Sequence, residues 1–232
     1  MKDVRIWDIP TRLFHWSLVI LLCVSFYTGL SGGFKEMDYH MLSGYCILSL
    51  VVFRVLWGFI GGYYSRFTTF IRGPSSVIQH AAGLFNSGTH LNSERHLKSA
   101  THYAGHNPLG ALSIVAILLA LTVQATTGLF ANDDIMLEGP LSHLVSYKTS
   151  RMLTGIHKTN IWVMGFLAGL HILAILFYQF YRKDPIMGAM FTGKKALNES
   201  GKPEYSLLRE LALGTLALFI SAALVYATIT YL

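Results

Sequence analysis

The chain has 232 residues, 53% hydrophobic and 13% charged, with a formal net charge of +6. A charged fraction about half the roughly 25% of soluble domains excludes an ordinary water-soluble fold. The basic excess does not mark a nucleic-acid-binding surface either, because it is sorted by loop rather than gathered into one patch.

Residues 1–12 are polar and end in Ile9-Pro10-Thr11-Arg12, where Pro10 suits a helix start and Arg12 the headgroup level. Membrane spans are expected near 13–31, 39–61, 108–131, 155–181 and 207–231, each long enough for the roughly 20 residues a crossing helix needs. The apolar runs at their centres hold a single ionised side chain, Arg54. They lack the alternation of barrel strands. The first span reads as a retained signal anchor, since Asp3 and Asp8 precede it and no small-residue cleavage site follows. Ser31-Gly32-Gly33 breaks the chain in a short hairpin at 31–38, which makes the first two spans antiparallel neighbours.

Residues 62–107 form a polar segment, in which Pro74–Phe85 is partly amphipathic and is expected to lie on the membrane surface. The loop 132–153 begins acidic (Asp133, Asp134, Glu138), and the segment 182–206 is lysine-rich. The sequence reads without an internal repeat. With the N-terminus inside, 14 of the 18 lysines and arginines fall on the inner side. Only Lys35, Lys148, Arg151 and Lys158 fall outside. This asymmetry predicts a multi-pass protein with its N-terminus in and C-terminus out, its basic face in contact with anionic lipid.

Ionisable residues inside spans suggest function. Four histidines, His15, His40, His157 and His171, lie there. His157 and His171 are 14 positions apart on one helix, so both imidazoles share a face, about 21 Å apart along the axis. His15 opens an outward-running span and matches His171 in depth; His40 opens the inward-running second span and matches His157. Two facing imidazoles at each of two depths define two bis-histidine sites for non-covalent haem b. Cys23 and Cys46 are isolated and no C-x-x-C-H occurs, so neither c-type haem attachment nor an iron–sulfur ligand set can be built. A flat macrocycle needs small neighbours, which Gly29, Gly44, Gly110, Gly128, Gly155 and Gly169 supply.

Haem propionates call for cations. Arg12, Arg54 and Arg182 lie at inner span ends, and Arg54 follows His40 by 14 residues. Lys148, Arg151 and Lys158 are the outer candidates. His102 and His106, in His102-Tyr103-Ala104-Gly105-His106-Asn107-Pro108, are the competitors, with His106 a rival inner ligand, although Asn107 and Pro108 also read as a helix cap and first position. His80, His90, His96 and His143 read as solvated loop residues.

Several of these pieces resemble the bacterial cytochrome b561 and nickel–iron hydrogenase b-type cytochrome family. They are Thr11-Arg12-Leu13-Phe14-His15-Trp16, His40-x13-Arg54, Gly105-His106-Asn107-Pro108, Gly128-Leu129-Phe130 and His157-x13-His171. The resemblance covers about residues 5–193. It implies axial ligands at His15, His40, His157 and His171 in a four-helix di-haem core that passes electrons between the quinone pool and a redox partner. Lys158 stands where close relatives often carry a second histidine.

The expected protein is therefore an all-α integral membrane bundle, with a di-haem core at 1–193 and an inner linker and fifth helix at 194–232. Its expected place is the bacterial inner membrane and respiratory chain. A periplasmic cytochrome c, or a dehydrogenase or hydrogenase subunit, is its expected partner. A stand-alone quinol-dependent oxidoreductase, for example one acting on superoxide, is the enzyme alternative. An ion or metal transporter fits less well, because the spans lack paired acidic residues and broken helices.

Overall fold

The computed structural model describes residues 2–85, 105–135, 137–197 and 206–232. His90, His96 and His102 lie outside this set. Five helices have the length and apolarity to cross a membrane. They are α1 (Ile9–Ser31), α2 (Phe34–Ile60), α5 (Pro108–Leu129), α6 (Tyr147–Leu176) and α8 (Leu207–Tyr231). A π-helical turn, Phe177–Tyr181, extends α6. Three shorter helices, α3 (Phe67–Phe70), α4 (Pro74–Phe85) and α7 (Ile186–Thr192), lie between the long ones.

Most of the long helices start for a local reason. The Asp8 carboxylate caps α1 by accepting from the Thr11 N–H (2.8 Å), with Pro10 in the first turn. The Asn107 side chain caps α5 by accepting from Gly110 N–H (2.7 Å), with Pro108 first. Ser146 caps α6 and Ser206 caps α8. These oxygens satisfy donors that the helix itself leaves unpaired. α1 ends at Gly32, whose φ of +67° is the left-handed conformation that glycine adopts without strain.

Several spans run longer than their apolar runs suggest. α2 begins at Phe34, not near 39, and α6 begins at Tyr147, not near 155. Polar flanking residues such as Lys35, Glu36, Asp38, Lys148 and Thr149 continue the helix beyond the apolar run. His40 therefore sits about 9 Å in from the start of its helix rather than in the first turn.

α1 pairs with α2 and α5 with α6; α2 also packs on α5, and α8 lies against α2 and α1. The main core joins Phe14, Leu18, Ile47, Val51, Trp57 and Leu121, with Ala217 from α8. α6 is the most exposed span, with Trp162 and Phe166 facing outward, as suits lipid contact.

We call the end of the bundle that carries Asp8 and Gly61 the near end, and the opposite one the far end. The near end is closed by a polar platform. β1 (Lys2–Arg5) pairs antiparallel with β2 (Lys194–Leu197). Asp8 also accepts from Trp57 Nε1 (3.1 Å) and Ser65 Oγ (2.5 Å). Glu210 of α8 accepts from Ile9 N–H (2.7 Å) and from Arg5 (2.5 Å).

Candidate cofactor site

At the far end, α1 and α2 face α5 and α6 across a cavity of about 420 Å³. His40 and His157 line it and look at each other, their ring centroids 6.0 Å apart and their planes nearly perpendicular at 87°. The two rings are held by the same device. His40 Nδ1 lies 2.9 Å from the Ser25 carbonyl of α1, and His157 Nδ1 lies 2.9 Å from the Gln124 carbonyl of α5. A carbonyl only accepts, so each Nδ1 carries a proton and each ring turns its Nε2 toward another partner. Four residues further along each carbonyl-bearing helix is a glycine. A Cβ on Gly29 would come within 2.8 Å of the His40 ring, and one on Gly128 within 2.9 Å of the His157 ring.

The sequence alone did not point to Ser25, to Gln124 or to the reason for these two glycines. A signal was present. Thr28-Gly29-Leu30 ends α1 and Thr127-Gly128-Leu129 ends α5, each in the helix before one of the two histidines. A three-residue match separated by about a hundred positions is too short to read as a repeat unaided; the shared geometry gives it meaning. The other glycines divide. A Cβ on Gly44, Gly155 or Gly169 would meet no atom within 4 Å, and Gly44 lines the cavity, while Gly110 abuts its own cap, Asn107.

At the near end, His15 and His171 lie within electrostatic reach of each other. His106 joins them, packed against the rings of Trp7 (4.5 Å) and Phe70 (4.8 Å). Burial, then the charges of Arg54 and His171, push His106 down to about 3, so it is neutral. Arg54 is 3% exposed, and its guanidinium stands over Phe67 at 4.9 Å. Among the described residues, five buried nitrogens here and in the adjoining segment have no hydrogen-bond partner: His15 Nδ1, Trp16 Nε1, Arg54 Nη1, Arg66 Nε and His106 Nδ1. Buried unpaired donors are uncommon and call for an acceptor.

The other predicted cations divide. Arg12 donates through Nε to the Met190 carbonyl (3.2 Å) and through its other end to the Phe191 carbonyl. Arg151 pairs with Asp134 at 3.6 Å, and Lys158 lines the far-end cavity. His80 is a correction to the loop reading: it is buried on α4, with Nε2 2.9 Å from the Tyr178 hydroxyl. The far-end acidic loop shapes itself, since Asp133 accepts from the N–H groups of Ile135 and Leu137, both at 2.9 Å. Among the described residues, no three or more His, Cys, Asp or Glu side chains converge.

Membrane-length helices with imidazoles gathered at two levels define a multi-pass membrane protein of the cytochrome class. The profile of the prokaryotic cytochrome b561 family matches residues 6–193, and the chain belongs to that family of b-haem membrane cytochromes. The match ends before α8. No curated protein and no solved structure matches the chain.

Proposed function

We propose that this protein carries electrons across the bacterial inner membrane through two b haems, one ligated by His40 and His157 and the other by His15 and His171. The far-end pair carries the reading. Two imidazoles on opposite sides of one metal ion place their centroids roughly 6 Å apart, from a metal–nitrogen bond of about 2 Å on each side and about 1 Å from nitrogen to ring centre. The observed 6.0 Å fits that span. Hydrogen bonding of the second ring nitrogen to a carbonyl is the usual way to fix the tautomer and raise the basicity of a ligating imidazole.

A bound b haem supplies a one-electron iron couple. The chain's own residues do the rest. Ser25 and Gln124 hold the far-end rings in the ligating tautomer, while Gly29 and Gly128 let them approach the neighbouring helices. Gly44 leaves room beside them. At the near end the unpaired donors of Arg54 and Trp16 suit the carboxylates of a haem, with Arg12 as a more distant cation. His106, walled in by Trp7 and Phe70, serves better as a hydrogen-bond donor there than as the ligand.

In this reading the near end faces the cytoplasm, following the 14-to-4 distribution of basic residues. The haem pair links the quinone pool to a respiratory partner, either a periplasmic cytochrome c or a dehydrogenase or hydrogenase subunit. A reduced-minus-oxidised spectrum of the purified chain, with haem extraction, tests this: two b haems per chain are expected, and one or none sinks the four-ligand assignment. Quinol oxidation by the chain without any partner would favour a stand-alone oxidoreductase instead.

A further inference from the structure

Gln124 stands out among the far-end residues because it meets His157 twice. Its backbone carbonyl accepts from His157 Nδ1 (2.9 Å), and its side-chain Nε2 lies 3.3 Å from His157 Nε2, the nitrogen left for a metal. The direction of this amide follows from the network. Asn160 Nδ2 is 2.9 Å from the Ala120 carbonyl, which can only accept, so the Asn160 amino group points that way. The same amino group donates to Gln124 Oε1 at 2.9 Å. With its oxygen committed to Asn160, the planar Gln124 amide turns its N–H groups toward His157. Among the described residues, His40 has no equivalent: the Ser25 hydroxyl is 3.3 Å from Nδ1, the nitrogen that faces away from a metal.

We infer that Gln124, oriented by Asn160, is a positioning residue: its amide faces the His157 Nε2 lone pair here and, with that lone pair given to iron, would leave its N–H dipole turned toward the far-end haem and favour the reduced form. This rests on the proposed ligation of that haem by His40 and His157. The physical reason is simple. Reduction adds one electron to the iron and removes one unit of positive charge, so a dipole with its positive end toward that iron stabilises the reduced form. The low dielectric of the span interior leaves the interaction poorly screened. Two amides inside spans are costly to bury unless hydrogen-bonded, and a pair that served only to clamp α5 to α6 would have no need to direct a donor at the imidazole.

The test is a redox titration of the purified, haem-loaded full chain, with the far-end haem identified as the one that His157→Ala loses. Gln124→Met should raise the ferric-to-ferrous ratio of that haem at fixed potential by roughly three- to tenfold, the worth of one poorly screened amide dipole near the iron. The near-end haem should not move. Asn160→Leu should shift the same haem in the same direction by less, and should add nothing to Gln124→Met. Gln124→Glu, which places an acceptor where the amino group was, should shift it further than Gln124→Met. An unchanged far-end potential in Gln124→Met, or equal shifts at both haems, would overturn the inference. If Gln124→Met does not load haem, the Asn160→Leu titration decides alone. Retention of both haems by His157→Ala would instead defeat the ligand assignment itself.

Discussion

In the proposed reading, the two ends of the bundle prepare for the same kind of cofactor in different ways. At the far end the imidazoles are already oriented, each by a carbonyl on a neighbouring helix and a glycine beneath the ring. At the near end, among the described residues, the rings of His15 and His106 lack that support, and unpaired donors of Trp16 and Arg54 lie buried near them. An iron-porphyrin makes both demands, for a neutral nitrogen at the metal and for donors at its carboxylates. If both ends hold a haem as proposed, the difference teaches that the far end is organised around the ligands and the near end around the anion.

That contrast can be broken most directly at the ligands. His40→Ala or His157→Ala should each remove one of two b haems and leave the other, read by haem extraction and difference spectra; loss of both would show that the sites assemble as one unit. Arg54→Leu should act only at the near end. Loss of its buried positive charge should favour the ferric form of that haem by roughly tenfold or more at fixed potential, and an equal shift at the far end would erase the distinction. Gly29→Ala and Gly128→Ala should push His40 and His157 off their beds, costing about 1–3 kcal/mol as overpacking does, visible as far-end haem loss on mild heating. Gly155→Ala, with nothing within 4 Å, is the silent control.

The smallest effect concerns His80, where burial and then the charge of Arg182 hold the imidazole below its usual value. The folded protein there binds fewer protons than the unfolded chain. Its contribution to stability is thus present above about pH 6.5 and is lost as the pH falls below that value. Thermal unfolding in detergent should show a modest acid-side decline that His80→Leu flattens.

The spans and their order were legible because membrane crossing imposes a length and an apolarity that few alternatives satisfy. The burial of Arg54 was partly legible, since an arginine 14 residues after His40 on one helix must return to the same face. What could not be read was everything that depends on one helix meeting another. Ser25 and Gln124 act through their backbone carbonyls, to which the sequence is blind. Gly29 and Gly44 look alike in the chain, yet one touches an imidazole and the other faces open space. His80 looked like a loop residue because nothing in its surroundings announces Tyr178, 98 positions away.

The near-end platform has a consequence for how the molecule is made. α1 leaves the ribosome before the other four spans, yet its start is finished by segments made long after it. β1 finds its partner strand only at Lys194–Leu197, and the Ile9 N–H finds Glu210, at the head of α8, 201 positions later. Three further spans must therefore be synthesised before the opening turn is tied down, and α8 acts as the clasp that closes the assembled bundle.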